Sequence, residues 1–429
     1  MRPRQFGVIE LTIDGLGAAG DGVGRLPDGR VVFVPRAIPG DRVRVRLSGV
    51  HKRVQYAEIV AVLERSADRV ESHCAVDACG GCALKVVSTL GQAELKRQRV
   101  VDNLRRIGGV DVVDLMKPPL QIGDGWRYRH RVRLHAAWLN GGWEVGFFAR
   151  RSHKLVPISA CPVLWPELEE ATLRIVRAVR ALPHHARLDT IEVAYSRRDA
   201  RAVAKLHGDG PMTAFRDSLD WLDEAGLSGV DVESAGSRWR HGNLELRYDH
   251  GRADEFDVRF DPSVFTQAFP AMNDELVAAV VAAVRPQQQP RLLELHAGVG
   301  NFSLPLARAG ARVTVVEHNR RASILCGRNA RAVGLDIEVC NETDAEALVR
   351  IAKADAVLID PPRSGARAVA KALATGGPDR LVYVSCDSAT LGRDTGILVE
   401  GGYTITSAKA FDMFPETPHV ETITVFERI

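Results

Sequence analysis

From about Asp261 onward the chain alternates short apolar runs with helical stretches, and most of those runs stop at a residue able to do chemistry. Strands joined through helices run parallel in one open, doubly wound sheet, so this alternation constrains the fold more than any other feature. Leu276 to Val284 reads as a helix, and Arg291 to His296 as a strand that runs into Ala297-Gly298-Val299-Gly300-Asn301-Phe302. Arg312 to Glu317 is a second strand with an acid at its end, and Ile337 to Cys340 a third. The fourth, Ala356 to Asp360, ends against Pro361-Pro362-Arg363, and the fifth, Leu381 to Ser385, delivers Cys386. Tyr403 to Phe411 and Glu421 to Phe426 complete the sheet as antiparallel strands. Ligands of such sheets bind beyond the carboxyl ends of the strands, where these polar residues collect.

The glycines of Gly298-x-Gly300 permit a tight turn and close backbone approach to a ligand, and Glu317, one strand later, can accept hydrogen bonds from two ribose hydroxyls. Ser303 stands where a dinucleotide fingerprint wants its third glycine, so an adenosyl ligand without a pyrophosphate fits better, which points to S-adenosylmethionine. Taken alone, Cys386 is better read as one more buried core thiol. Adjacency changes that reading: in a methyltransferase-type sheet the fourth and fifth strands are neighbours, so Asp360, held by the prolines after it, comes beside Cys386 and both come beside the cofactor methyl.

Residues 6 to 65 read differently, as short alternating strands with glycine-rich turns that suggest a small β-barrel. Arg42, Arg44 and Arg46 alternate with Val43, Val45 and Leu47, so one face is expected to be basic, within a run from Arg42 to Arg53 that holds no acid. Lys plus Arg total 57 against 54 Asp plus Glu, so this local charge is hidden in a nearly neutral whole. A second basic stretch alternates Arg127, Arg129, Arg131 and Arg133 with Tyr128, His130, Val132 and Leu134; four arginines on one face repel one another unless something anionic sits there. Both stretches suit nucleic-acid phosphates. Between them lies Cys74-Ala-Val-Asp-Ala-Cys79-Gly-Gly-Cys82, followed by a helix over residues 91 to 107; the next cysteine is Cys161. Three clustered thiols and one distant thiol suit an iron–sulfur cluster at least as well as a four-thiolate zinc site. Cys326 and Cys340 read as core residues. The N-terminus lacks the apolar core of a leader, and the longest apolar run, Leu276 to Val284, is too short to span a bilayer, so a cytoplasmic protein with reduced thiols and no membrane partner is expected.

Tyr383-Val-Ser-Cys-Asp387, Ile359-Asp-Pro-Pro-Arg363, His419-Val-Glu-Thr422 and the set Cys74, Cys79, Cys82 and Cys161 together resemble the bacterial RNA uridine-5 methyltransferases, particularly the iron–sulfur-containing ribosomal RNA enzymes. The resemblance covers nearly the whole chain, including Gly146-Phe-Phe-Ala-Arg-Arg-Ser-His153. It departs from the family's usual pattern at His296-Ala297, at Asp387-Ser388, at Lys85 and in the four-residue gap between Cys74 and Cys79. The implied fold is α/β: a TRAM or OB-like β-barrel for RNA at 1–66, a cysteine segment and linking helix at 67–125, a central RNA-binding α+β domain at 126–260, and a Rossmann-like S-adenosylmethionine methyltransferase domain at 261–429. The resemblance also implies Cys386 as nucleophile, Glu421 as general base, and cofactor contacts from Gln267, His296, Asn301, Glu317, Asp344 and Asp360, beside the glycines Gly298 and Gly300.

The implied chemistry is methylation of uracil carbon-5. That carbon is a poor nucleophile until a thiolate adds to carbon-6, and a base must later remove the carbon-5 proton. Methyl transfer needs no redox step, so a 4Fe-4S cluster, preferred here over zinc, would act structurally or in positioning RNA. The expected partner is RNA, with 23S ribosomal RNA favoured over transfer RNA and no obligate protein partner. An amino-group methyltransferase would waste the thiol, and the aromatic residue that usually follows Asp-Pro-Pro there is replaced by Arg363. A non-catalytic iron–sulfur RNA-binding protein would leave Glu317, Asp360, Cys386 and Glu421 unexplained.

Overall fold

The computed structural model describes residues 7–51, 54–217, 220–251 and 256–428; residues 1–6, most of the stretch read for a leader, and Lys52 and Arg53 of the basic run lie outside these. Strands β1 (Val8–Leu16), β2 (Gly22–Arg25), β3 (Val31–Val34), β4 (Arg42–His51) and β5 (Val54–Glu64) close into a barrel in the order β1-β2-β3-β5-β4. Val43 and Val45 fill its interior while Arg42, Arg44 and Arg46 point outward, as the alternation requires. The outward face, however, is of mixed sign. Arg44 Nη2 lies 3.0 Å from Glu10 Oε1, Arg42 Nε 2.9 Å from Glu64 Oε1, and Arg46 stands opposite Glu58 in the β4–β5 register. Neighbouring strands of a sheet share a face, so acids far away in sequence neutralise a strand that looks purely basic by itself.

Asp41, fully buried, accepts from the backbone N–H of Ile38 and Ser66 and pairs with Arg69, fastening the barrel to the cysteine segment behind it. The linking helix α1 (Thr89–Gly108) begins at a Ser88 cap, whose hydroxyl accepts from Gly91 N, and ends at Gly109 in the left-handed region, at φ 69°.

The central sheet comprises β6 (Arg131–Leu139), β7 (Gly142–Phe148), β8 (Leu155–Pro157), β9 (Leu188–Ser196), β10 (Arg201–Gly208), β11 (Gly229–Ser234) and β12 (Ser237–Gly242) in the order β12-β11-β10-β9-β6-β7-β8, with helices α2 (Pro166–Ala178), α3 (Thr213–Arg216) and α4 (Asp220–Ala225). The arginine strand therefore starts later than its alternation suggests: Arg127 sits at φ 52°, and its N–H bonds Pro162 O outside any ladder. Its faces still alternate, with Tyr128, His130, Val132 and Leu134 all buried. Two of the four arginines are already partnered, Arg131 and Arg133 lying 3.4 and 3.8 Å from the carboxylate of Glu192 on β9, whereas Arg129 Nε is buried without a hydrogen-bond partner.

A two-rung ladder of β13 (Leu246–Arg247) and β14 (Arg259–Phe260) leads to the last layer. This contains α5 (Pro270–Val284), β15 (Arg291–Leu295), α6 (Ser303–Arg308), β16 (Arg312–Val316), α7 (Arg320–Ala332), β17 (Glu338–Cys340), α8 (Asp344–Ile351), β18 (Ala356–Ile359), α9 (Arg367–Gly376), β19 (Arg380–Ser385), α10 (Ser388–Glu400), β20 (Tyr403–Phe411) and β21 (Glu421–Arg428). Its sheet runs β17-β16-β15-β18-β19-β21-β20, parallel through β19 and antiparallel beyond. Both faces are covered, which is why β18 and β19 are apolar almost throughout. One face, through Leu292, Leu358 and Val382, joins the core shared with α5 and the central sheet; the other, through Leu293, Ile359 and Tyr383, joins the core built on Val101 and Leu104 of α1 and Leu391 of α10. Among the described residues no helix is long and apolar enough to cross a membrane.

Helices α1 and α10 cross where glycines let their backbones touch. A Cβ on Gly392 would stand 2.7 Å from Asn103 O, and one on Gly108 2.8 Å from Gly392 O. Gly392→Val is expected to cost about 1–3 kcal/mol of stability by overpacking this crossing; an unfolding midpoint in denaturant equal to the parent's would show that the crossing does not constrain the fold.

Candidate active site and cysteine-lined cavity

Five parallel strands end along one rim of the last sheet, and the loops there form an open cleft of about 430 Å³ counted with its mouth. Gln267, His296, Gly298, Asn301 and Asp360 line it, together with Tyr248, Thr266 and Phe265. The loop after β15 is wound tightly: His296, Gly298 and Gly300 have φ of 63°, 58° and 99°. Gly300 must be glycine on two counts, since a Cβ would also press on Leu304 and Cys326 at 3.2 and 3.3 Å.

Glu317 lies behind that loop, not in the cleft's lining. Its Oε2 accepts from Gly298 N at 2.9 Å and its Oε1 from Asn319 N at 2.7 Å, so each oxygen keeps one lone-pair direction for a ligand hydroxyl while the carboxylate fixes the glycine turn. Asp344, the first residue of α8, stands 3.3 Å from His296 Nε2. The partnership holds the Asp344 carboxyl below its ordinary range; burial opposes protonation of His296, but Asp344 outweighs it and raises the imidazole. Asn301 exchanges amide hydrogen bonds with Asn273, at 2.8 and 3.0 Å, which orients it. Gln267 is held by its backbone carbonyl, which accepts from the Tyr248 hydroxyl and faces His130 Nε2, leaving its side-chain Oε1 buried without a protein partner.

At the next strand ends stand Asp360 and Cys386. β18 and β19 are paired up to Ile359 and Tyr383, so Asp360 is the next residue on its strand. β19 stays paired with β21 to Ser385 opposite Thr422, and one step further along that antiparallel register Cys386 faces Glu421. Asp387 then turns the chain, capping α10 by accepting from Ala389 N and Thr390 N. Glu421 is 2% exposed, and its Oε1 has no protein partner. Burial, reinforced by Asp360, raises its carboxyl well above the ordinary range, and burial likewise raises Asp360. Burial and then the nearby Glu421 and Asp360 push the Cys386 thiol up to about 12, against a smaller opposing pull from Arg363. The rim thus brings together a thiol and two carboxyls whose charged forms burial disfavours, with Glu421 Oε1 buried and without a hydrogen-bond partner.

Phe265, Arg363 and His419 belong to this neighbourhood without having been marked by the strand-end logic. Phe265 is 67% exposed at the cleft's edge, and an aromatic residue in the polar turn Ser263–Gln267 was the available signal. Arg363 Nη2 lies 3.4 Å from His419 Nε2, and burial followed by that guanidinium lowers the imidazole to about 4. Glu294, fully buried beneath the glycine loop, accepts from Ser303 Oγ at 2.6 Å and is raised to about 8 by burial. Ser303, the break in the dinucleotide pattern, is therefore a buried partner for this acid.

The four cysteines of the N-terminal half, Cys74, Cys79, Cys82 and Cys161, line one cleft, about 660 Å³ counted with its open mouth, with Trp126, Phe147 and Ile158. Gly80 is obligatory, because a Cβ would meet Phe148 O at 2.8 Å; Cys79 pairs with Ala149 in an isolated bridge. Buried Lys85 donates to Cys74 O, Val76 O and Asp77 Oδ1, which closes the loop around its own cysteines. Burial raises the Cys79, Cys82 and Cys161 thiols, the last to about 12. Among the described residues no group of three His, Cys, Asp or Glu side chains is arranged to hold one metal ion.

Comparison with known proteins places these features. The TRAM domain profile matches residues 4–60, and the profile of tRNA (uracil-5-)-methyltransferases matches residues 250–355 and 347–429. The chain is 36% identical over 436 residues to the 23S rRNA (uracil(1939)-C(5))-methyltransferase RlmD of Methylococcus capsulatus, covering 98% of this chain and 97% of that protein. The protein of the same name from Paraburkholderia xenovorans is 34% identical, with 98% and 93% covered. The crystal structure of the Pyrococcus abyssi tRNA (uracil-54, C5)-methyltransferase, solved with S-adenosyl-L-homocysteine, superposes with a TM-score of 0.75 and 26% identity over 98% of this chain and 99% of that one.

With its thiol at about 12 in the ligand-free site, Cys386 should be alkylated slowly at neutral pH, and the rate should climb about tenfold per pH unit beyond pH 9. Peptide mass spectrometry after timed iodoacetamide treatment reads this directly, and a rate that levels off near pH 7 would contradict it.

Proposed function

Because this chain belongs to the family of S-adenosylmethionine-dependent RNA (uracil-C5) methyltransferases, we propose that its target is a uridine of 23S ribosomal RNA, corresponding to the uracil 1939 in its relatives' name, and that Cys386 and Glu421 carry the reaction. The observation that supports the residue roles most strongly is the β19–β21 register, which brings Cys386 opposite a buried Glu421 whose Oε1 lacks a partner. When bound, S-adenosylmethionine supplies the electrophilic methyl group. Gln267, His296, Asn301, Asp344 and Asp360 are the side chains around the cleft that would hold it, with Glu317 on the ribose and the backbone at Gly298 and Gly300 giving it room. The uridine leaves its stack to reach this rim.

Cys386 adds as a thiolate to uracil carbon-6, which loads electron density onto carbon-5 and makes that carbon nucleophilic. The thiol proton must pass to an ionised acceptor as the uracil binds, and Asp360, which burial raises only to about 7, is the neighbouring carboxyl still partly ionised at neutral pH. After methylation, Glu421 takes the carbon-5 proton; the C5–H electron pair restores the ring double bond, and the bond from carbon-6 to Cys386 breaks to release the thiolate. A uracil polar group supplied to the unpartnered Glu421 Oε1 would make a strong contact in this low-dielectric setting.

For the cysteine cavity we propose a 4Fe-4S cluster. Four thiols around one cleft, with Cys79, Cys82 and Cys161 all desolvated, fit a multinuclear group that neutralises thiolate charge, whereas one zinc ion would need all four sulfurs within about 2.3 Å of a single point. Its role would be structural, holding the cysteine loop to the Phe148–Ala149 edge. Reduced thiols and ribosomal RNA as substrate both accord with work in the cytoplasm.

Cys386→Ala should abolish methylation and covalent capture of 5-fluorouridine RNA, and retained full turnover would remove the nucleophile assignment. Mapping of 5-methyluridine in cells with and without the gene should lose one 23S site; loss of a transfer RNA site in its place would redirect the target. Anaerobically purified protein should contain iron and inorganic sulfide, and zinc alone would refute the cluster.

A further inference from the structure

Helix α1 carries a polar stripe through an otherwise apolar interface. Gln92, Lys96, Arg99 and Asn103 follow one another at spacings of four, three and four residues, which is one face of a helix, and Gln92 and Lys96 are almost completely buried. Each residue reaches toward a different part of the catalytic rim. Asn103 Nδ2 donates to Ser388 Oγ at 2.8 Å, at the start of α10 two residues past Cys386. The other three hold the connector 412–420, which joins β20 to β21 and ends at Glu421.

Lys96 Nζ lies 2.5 Å from Asp412 Oδ1 and donates to Phe414 O at 3.2 Å. Gln92 takes both sides of Glu416, accepting from its backbone N–H at 2.9 Å and donating to its carboxylate at 3.0 Å. Arg99 donates to Pro418 O at 3.0 Å. Glu416 itself sits at φ 66°, a backbone conformation that a side-chain-bearing residue keeps only where its surroundings impose it. Its carbonyl accepts from Leu84 N, two residues past Cys82, and Tyr128 OH donates to Pro415 O. A free connector of this length would let Glu421 drift; here nearly every peptide before it is tied down.

We propose that Gln92 and Lys96 are positioning residues for the proton-removal step: with Asn103 they fix the connector carrying Glu421 relative to the helix start that follows Cys386, and so set the separation of base and nucleophile. This rests on the assignment of Cys386 and Glu421 made above. Loosening the connector leaves Cys386, Asp360 and the cofactor cleft in place, so addition to carbon-6 and methyl transfer proceed. Only removal of the carbon-5 proton slows, and the methylated RNA stays bonded to Cys386 because the C6–S bond cannot break until the C5–H electron pair is released.

The test compares the full-length protein with Lys96→Met/Asp412→Asn, which removes the buried pair together, and with Gln92→Met, which leaves that pair intact. Each is given uridine-containing RNA and S-adenosylmethionine, and denaturing gels read the covalent adduct. Both variants are expected to lose about tenfold in kcat with unchanged KM for either substrate, while the trapped fraction rises about tenfold. Folded variants with parental turnover, or with turnover and adduct falling together, would overturn the proposal. Should the double variant not fold, Gln92→Met decides by the same criteria. Glu421→Gln serves as reference: if it traps adduct and the stripe variants do not, the inference is wrong, and if it traps none, the base assignment falls and takes the inference with it.

Discussion

Two carboxyls and a thiol crowded into one desolvated rim are the constraint on which the rest of this molecule turns. Charged Asp360, Glu421 and Cys386 would repel one another with little water to screen them, and burial raises all three. Groups in that state are useful only if their separation is fixed in advance, since a small error in placement costs more in turnover than any one hydrogen bond. The parallel sheet supplies most of that precision through register. The prolines after Asp360, the Asp387 cap and the tied connector before Glu421 supply the remainder at the three places where regular pairing ends.

The strand ends were legible because sheet chemistry has a simple rule: apolar runs bounded by turn residues bring their last residue to a common edge. Asp360, Glu317, the glycine turn and Cys386 all emerged from that rule. Glu421 did not, because it opens a strand, and only an antiparallel partner turns an opening residue toward the same rim; likeness to a known family supplied it. The arginine stripes look more uniformly basic in the sequence than they are in the fold for a related reason. A strand viewed alone shows its own side chains, while Glu10, Glu58, Glu64 and Glu192 arrive from neighbours that the local pattern cannot reveal. The polar stripe of α1 was hidden most deeply: an apolar face is visible by its period, but which buried polar side chain meets which distant loop is not.

One short turn ties the N-terminal half together. Asp21, buried in the barrel, forms ion pairs with Arg150 and Arg151, and Arg151 also lies over the Tyr56 ring. The same turn carries Ala149, bridged to Cys79, and Phe148, whose carbonyl receives Gly80 N. Barrel, cysteine loop and central sheet therefore meet within four residues, each through a different kind of contact. A buried carboxylate between two guanidiniums is a poor source of net stability but a strict one of orientation, since no other arrangement leaves it paired.

The contacts between α1 and the connector also bear on how the molecule is made. Lys96 meets Asp412 across 316 residues of sequence, and Gln92 meets Glu416 across 324. On the ribosome the barrel can close as soon as it emerges, but the stripe on α1 has no partners until almost the whole chain has been synthesised, and contacts of such long span are slow to form. The strand that ends before Cys386 is complete before Glu421 is synthesised. The rim that holds Cys386 and Glu421 is thus the last feature the nascent chain can assemble, and a product shortened before Asp412 would leave the stripe on α1 without its partners.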